Sequence, residues 1–502
     1  MLRRGAPVAA LAFSSLAWLL AGCTQGPDFA SPAPPKTKGY TASGEALPGM
    51  AESGGKGEAP AQHAEIGARV VNDWWTLFRS PELNRIVKQA LADSPNIAQA
   101  RATLAQAQEQ TIAAAGRLLP QADFAAGVGR QAVAVQPNGT KRHPVPTDVF
   151  SIGGTVSYAL DIFGGLKRQV EAQEALADVS QYQLAAADLA LTGNVALQAI
   201  TVASLRAQIK TVEDILAEDE KNLNLVKTAQ AAGTGTLVDV TNAQSQLDAD
   251  RTLLPPLHQQ LSVARHALAV LVGQTPGDWS PPDFDLSALT LPKDLPVTLP
   301  SQLVRNRPDI LAAEAQLHVA SANIGVATAN LYPNVTLNGS IAQDATQLGR
   351  IFTGQYSGWS IAANLAAPVF HGGTLKAQQR AAIDAYQAAL AGYRQTVIQS
   401  FGQVADALQA LAHDQEAVAS QSQALATAQE ALRLARLSFS NGNTGILQVL
   451  DAERLAQQAQ LGVVRAQAQR YLDTAQLFVA LGSGWWNTPP TLPPPPKPAA
   501  GT

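Results

Sequence analysis

The sequence is short of several residue types, and each shortage excludes a class of protein. A single cysteine in 502 residues excludes a disulfide framework and any site built from several thiolates. Charged residues make up only 15% and aromatics 5%, with two methionines. The 35 basic and 39 acidic residues leave a net charge of −4. No Lys/Arg-rich stripe occurs, so no nucleic-acid partner is expected. Alanine is what abounds, at about 90 residues, far above ordinary usage. Glutamine is also frequent, and large apolar residues are sparse. A length near 500 ordinarily suggests about three domains. This composition instead suits long helices packed closely through small side chains, and it argues against a thick-cored multidomain enzyme.

Enzyme motifs are missing as well. None of the seven histidines falls in an H-E-x-x-H pattern. His258 and His266 stand eight apart on an amphipathic stretch and read as surface or packed side chains. Gly233-Thr234-Gly235 lacks both the preceding strand and the Lys-Ser/Thr of a phosphate loop. No G-x-S-x-G elbow occurs. No catalytic residue, metal ligand or cofactor is expected.

The lone cysteine has a context. Arg3 and Arg4 precede an apolar stretch over residues 7–20, too short and wrongly flanked for a spanning helix, so residues 1–22 read as a signal peptide. It ends in Leu20-Ala21-Gly22-Cys23, which resembles the bacterial lipobox and implies lipidation of Cys23; the alternative is a free structural cysteine. Thr24, rather than Asp, resembles sorted lipoproteins and implies delivery to the outer membrane. Residues 26–61 are rich in Pro, Gly, Ser and Ala and read as an extended tether.

The body is written twice. Leu118-Leu119-Pro120 is echoed by Leu331-Tyr332-Pro333, and Phe163-Gly164-Gly165 by Phe370-His371-Gly372-Gly373. Gly233 with Leu237-Val238 returns as Gly442 with Ile446-Leu447, and Leu271-Val272-Gly273 as Ala480-Leu481-Gly482. An offset this long means a duplicated subdomain rather than a solenoid. Each copy reads helix, strand, loop, strand, long helix, tight turn, long helix. No proline interrupts the chain from Pro146 to Pro255 or from Pro368 to Pro489, which permits very long helices. Residues 167–232 would extend about 100 Å as one helix. Tyr386, Leu390, Tyr393, Val397, Phe401, Val404, Leu408 and Leu411 recur at helical spacing, as do Leu461, Val464, Ala468, Tyr471, Ala475 and Phe478. These are seams for side-by-side packing, though an ordinary bundle would show them too.

The strands say more. Phe150, Ile152, Val156, Tyr158 and Leu160 alternate with Ser151, Gly153, Thr155, Ser157 and Ala159. Val335, Leu337 and Ile341, then Trp359, Ile361 and Leu365, repeat the pattern, and Phe124 and Val128 give a weaker version. One apolar and one small-polar face over about ten residues is the transmembrane-barrel signature; a soluble sheet packed on helices is the alternative. Four strands cannot close a barrel, and an open edge cannot exist in lipid. Three chains would pool twelve strands. The expected fold is therefore mainly α with a transmembrane β part: a long α-helical barrel, plus four strands per chain joining a trimeric twelve-stranded β-barrel. Loops 131–148 and 343–358 would face outward.

The chain resembles the TolC-like outer-membrane factors, specifically the NodT-type lipoproteins of tripartite drug-efflux systems. The resemblance lies in Gly26-Pro27-Asp28-Phe29, Trp74-Trp75 with Phe78 and Pro81-Glu82-Leu83, and Arg307-Pro308-Asp309-Ile310 with Ala313-Glu314. It continues in His266-Ala267-Leu268-Ala269-Val270-Leu271 with Gly273 and in Val449-Leu450-Asp451-Ala452-Glu453-Arg454. It implies a homotrimeric channel-tunnel in outer-membrane lipid, a belt near residues 73–91 and 274–307, a periplasmic adaptor and an inner-membrane efflux pump. Candidate gate residues at the helix tips are Gly233, Thr234 and Gly235, with Asn441, Gly442, Asn443, Thr444 and Gly445; plain hairpin turns are the alternative. Some relatives carry a charge near the position of Thr444, where this turn has none. Asp239 and Asp451 are possible substitutes for an acidic ring, and Arg454 stands where it can pair with Asp451. The expected organisation is 1–22 signal peptide, 23–70 lipidated tether, 71–273 first repeat, 274–300 connecting segment, 301–484 second repeat and 485–502 Pro-rich disordered tail. The function expected is passive conduction of drugs or other small molecules. A type I protein-secretion conduit and a non-channel coiled-coil lipoprotein are the alternatives.

Overall fold

A computed structural model describes residues 24–37, 39–41, 62–132 and 146–482. Residues 1–22, Cys23 and the tail 485–502 lie outside the described residues. The chain divides into two compact units, and each draws on both halves of the sequence.

The first unit comprises Met1–Pro32, Thr103–Gln181 and Ala312–Arg394, and its centre is a four-stranded antiparallel sheet. The strands are β2 (Gln121–Ala132), β3 (Pro146–Leu160), β5 (Asn334–Ala345) and β6 (Ser357–Ala366), in the order β2-β3-β5-β6. They run longer than the alternation alone marks, so the segment joining β5 and β6 shrinks to 346–356, while 133–145 lie outside the described residues. The register sets Phe124 opposite Gly154, Gly154 opposite Ile341, and Ile341 opposite Trp359. Because strand side chains alternate, the even positions of β2 and β3 and the odd positions of β5 and β6 share one face. That face collects the large apolar residues, and Trp359 and Ile361 are 77% and 82% exposed. β2 and β6 are the two edges, each exposed along its whole length.

The second unit comprises Ala33–Ala102, Tyr182–Leu311 and Gln395–Thr502. Its aromatic core is Trp74, Phe78 and Phe478, all fully buried, with Trp74 and Phe478 ring centroids 5.5 Å apart. Helix α1 (Pro81–Asp93) starts where the Ser80 hydroxyl accepts from the Leu83 N–H and Pro81 fills the first turn, a favourable N-terminus. It buries Leu83, Ile86, Val87 and Ala90. One element was not anticipated. Within the stretch read as tether, β1 (His63–Ile66) pairs in parallel with β4 (Asp294–Val297). Four residues carry too little alternation to announce a strand, and its partner lies more than two hundred residues away.

The remaining helices repeat. α2 (Pro95–Gly116) and α7 (Pro308–Ala329) are both 22 residues long, separated by α6 (Pro300–Asn306) and the chain before it. α3 (Gly165–Ala231) and α8 (Thr374–Ser440) both have 67 residues. The return helices differ. The second copy has one, α9 (Ile446–Ala480), whereas the first is split into α4 (Leu237–Arg251) and α5 (Leu254–Leu271). Pro255 and Pro256 account for the break, since proline lacks the N–H and clashes with the preceding turn. Thr252 and Leu253 stay near helical dihedrals, so the chain bends rather than turns. The anticipated seams are buried at Tyr393, Val397, Val404, Leu408, Leu411, Leu461, Ala468, Ala475 and Phe478. α3 contains a stretch apolar enough by composition to cross a membrane, but half of it is buried within the chain.

Candidate functional site

Both hairpin tips lie in the second unit and share one backbone plan. At the first, Gly233 has φ +77°. The Gly233 N–H reaches the Gln230 carbonyl at 3.0 Å, and the Thr234 N–H the Ala229 carbonyl at 2.9 Å. At the second, Gly442 has φ +76°; its N–H bonds to the Phe439 carbonyl at 2.9 Å and that of Asn443 to Ser438 at 3.0 Å. These are Schellman-type ends, which need a residue at positive φ. Thr234 also donates its hydroxyl to the Ala229 carbonyl at 3.0 Å, and so does the Gly235 N–H at 3.1 Å. The Asn441 N–H returns to Leu437 at 3.2 Å.

The tips differ in how the next helix begins. Asp239 completes a capping box: its N–H donates to the Thr236 hydroxyl, and its carboxylate accepts from the Thr236 N–H at 2.9 Å. The Thr236 hydroxyl, which donates to that carboxylate at 2.7 Å, and then the Thr236 N–H hold the carboxyl below the usual range, so the structure gives Asp239 a capping role. At the second tip Gly445 occupies the cap position with no side chain to offer, and the buried Thr444 hydroxyl has no hydrogen-bond partner. Asp451 and Arg454 form an exposed ion pair at 2.7 Å.

Beneath the tips the hairpins of the two halves pack together. Leu223, Val226, Ala243, Leu247, Ile446 and Val449 form one buried cluster. Next to it lies a polar network that sequence reasoning missed. Glu453, 4% exposed, accepts from Asn222 of α3 and from Arg436 of α8, the latter at 2.9 Å. Burial still pushes its carboxyl up, with Arg436 opposing. Asp219, also buried, accepts from Gln457 at 2.8 Å. Burial and the adjacent Asp250 push it up to about 7. The available signal was a carboxylate inside an apolar stripe, since Glu453 follows Val449 by four and precedes Ala456 by three.

A second polar site explains Gly26-Pro27-Asp28-Phe29. In the first unit, Arg168 is 4% exposed and grips the N-terminal segment. It donates to the Gln25 carbonyl at 3.1 Å, to Asp28 at 2.7 Å and to Glu171 at 2.6 Å. Phe29 stacks on His318 at 4.3 Å, and His318 meets Glu171 at 2.9 Å. A Cβ on Gly26 would lie 2.5 Å from the Gly325 backbone, so only glycine fits there. Among the described residues no group of three or more His, Cys, Asp or Glu side chains is placed to hold a metal.

A sheet with an exposed apolar face in one unit and long paired helices with tight tips in the other define the class of an outer-membrane channel protein. The chain matches the outer membrane efflux protein family over residues 86–274 and 299–483, and it belongs to that family. It is 30% identical over 422 residues to the pyoverdine export outer membrane protein OpmQ of Pseudomonas aeruginosa, covering 83% of this chain and 88% of that protein. It is 27% identical over 475 residues to nodulation protein T of Rhizobium leguminosarum bv. trifolii, covering 93% and 96%. The solved outer-membrane channel OprN superposes with a TM-score of 0.81 at 28% identity, covering 92% of this chain and all of that one. The chain is thus an efflux channel protein of the outer membrane, which sets aside the structural-spacer reading.

Proposed function

We propose that three copies close a twelve-stranded barrel and that the assembly is the passive outer-membrane exit of a tripartite efflux system. One observation carries this reading: the β2-β3-β5-β6 sheet has two unpaired edges and one exposed apolar face. Lipid does not tolerate an open edge, so β6 of one copy must meet β2 of the next. Lipidated Cys23 anchors the mature chain after loss of 1–22, and 71–273 and 301–484 are the two repeats joined by 274–300. The tips around Gly233–Gly235 and Asn441–Gly445 close the periplasmic end. They open on contact with a periplasmic adaptor, and an inner-membrane pump supplies the free energy. Export of a small molecule by the similar OpmQ favours small-molecule efflux over protein secretion. The test is planar-bilayer recording combined with native mass spectrometry of the purified full-length protein. Trimers with discrete conductance are expected; folded monomers without conductance would refute the reading.

A further inference from the structure

The second unit makes one helix contact inside the chain and leaves the duplicate of that contact unmade. Gly165 of α3 corresponds to Thr374 of α8, and Leu271 of α5 to Ala480 of α9, with the same offset of 209. Helix α9 runs antiparallel along α3. Val479 stands beside Gly193, Arg465 donates to Gln208 at 3.0 Å, and Gln457 donates to Asp219 at 2.8 Å. Gly193 is buried, and a Cβ there would lie 2.5 Å from the Val479 Cγ2 methyl. Glycine inside a helix is unfavourable relative to alanine, and at 193 the seated methyl is the reason for it. The offset carries Gly193 to Gly402 on α8, and Val479 to Val270 on α5. Gly402 is exposed, and a Cβ there would meet no atom within 4 Å. Val270 is 64% exposed. The neighbouring positions differ in the same direction. Ala196 and Ile200, one and two turns along α3 from Gly193, are fully buried, whereas their equivalents Ala405 and Gln409 are partly exposed. Ala475, one turn before Val479, is fully buried, whereas its equivalent His266 is exposed.

We infer that a second copy of this chain completes the duplicate contact: Val270 of one copy seats in the Gly402 notch of the next, with α5 antiparallel along α8 as α9 lies along α3. The inference rests on the trimeric reading above and gives its helical part a definite register. The open notch and the unseated valine are the two halves of a contact that the chain already makes once. Its two sides are different surfaces, so the contact is heterologous and passes from copy to copy until the ring closes. It is also steric rather than polar. Gln208 and Asp219 correspond to Ala417 and Ala428, and Arg465 to Pro256, so the hydrogen bonds of the seam within the chain have no counterpart between copies. Close packing at Gly402 therefore fixes between copies what those bonds help to fix within one.

The test is cysteine pairing in the full-length chain, whose sole natural cysteine is Cys23, oxidised with copper phenanthroline in outer-membrane vesicles. A Cβ on Gly193 would lie 3.7 Å from the Val479 Cβ, the span of a disulfide. Gly193→Cys with Val479→Cys should therefore close within one chain, at monomer mass. Val270→Cys with Gly402→Cys should close between chains and give covalent dimers and trimers on non-reducing gels, which neither single variant should give. Without cysteines, Gly402→Leu should lower the trimer fraction in native mass spectrometry about tenfold, and adding Val270→Ala should restore most of it. Trimers in which the 270–402 pair stays open while the 193–479 pair closes overturn the inference alone, as does an unchanged trimer fraction in Gly402→Leu. Failure of the 193–479 pair to close removes the template and overturns it too. Absence of trimers in the unsubstituted protein overturns the trimeric reading and the inference with it.

Discussion

Replacing Asp219 by asparagine should tighten the tip region at neutral and alkaline pH. Asp219 on α3 is enclosed by Asp250 of α4 and by Gln457 and Glu453 of α9, with Arg436 of α8 on the far side of Glu453. One of its oxygens accepts from Gln457 at 2.8 Å, and the other has no donor. Gln246 occupies an oxygen of Asp250 at 2.6 Å. Asp219 is buried and Asp250 half-buried beside it, and two carboxylates facing each other favour holding one proton between them. Burial first, and the facing Asp250 carboxylate after it, raise the Asp219 carboxyl from 3.8 to about 7, about three pH units. At ~1.4 kcal/mol per unit this reaches up to about 4 kcal/mol, a property of the pair rather than of one residue. The folded-state pKa lies above the unfolded one, so the stabilisation is complete below about pH 4 and is lost as pH rises through about 7. Asparagine keeps the shape and holds a donor toward Asp250 at every pH. Hydrogen exchange of the amides around Leu223 and Val449, corrected for the intrinsic rate, measures the local opening. Wild-type protection should fall between about pH 5 and pH 8, and the variant should stay flat and more protected at the upper end. A variant less protected at about pH 8, or one with the wild-type slope, would refute the shared-proton account.

Other substitutions have equally definite outcomes. Gly233→Ala and Gly442→Ala should each destabilise by about 1 kcal/mol, because both sites need positive φ. Gly445→Ser should be neutral or slightly stabilising, since it supplies the missing cap; thermal melts of the detergent-solubilised protein separate the three. Arg168→Ala strips the buried guanidinium's bonds from the Gln25 carbonyl and the exposed Asp28 carboxylate and should cost about 2 kcal/mol. It should also make the 24–37 segment sensitive to limited proteolysis, and lysine should not restore resistance because it lacks the fork of donors. Arg470, 2% exposed, donates to Gln62 at 3.0 Å beside Asp414, whose carboxyl burial and Asp473 push up to about 7. Arg470→Met should therefore raise Asp414 further, and alkaline pH should destabilise the variant more than the wild type, as differential scanning calorimetry across pH would register.

The readable part of this structure was the periodic part. The 67-residue helices follow from proline-free sequence with seams every three or four residues. The strand faces follow from alternation over ten or more residues. The tip glycines were visible as breaks between such runs, and the Asp451–Arg454 pair followed from helical spacing. What escaped depended on contacts between distant segments. β1 is defined by β4, the Arg168 grip by a segment read as an extended tether, and the Asp219 and Glu453 network by four helices meeting. Asp239 shows the limit at a single residue. Spacing put an acid near the tip, but only the Thr236 dihedrals and hydroxyl turned it into a cap.

The break at Thr252–Leu253 also makes the two hairpins mechanically unequal. Opposite α3, two rods of 15 and 18 residues meet at a joint that Pro255 deprives of its hydrogen bond. Opposite α8 runs one uninterrupted rod of 35 residues. Bending stiffness is set by the weakest cross-section, so a sideways load on the first hairpin concentrates at one elbow, whereas the second distributes it along its length. In a trimer the six struts would alternate compliant and stiff. Their ring would then deform with three-fold symmetry, however closely the two tips resemble each other.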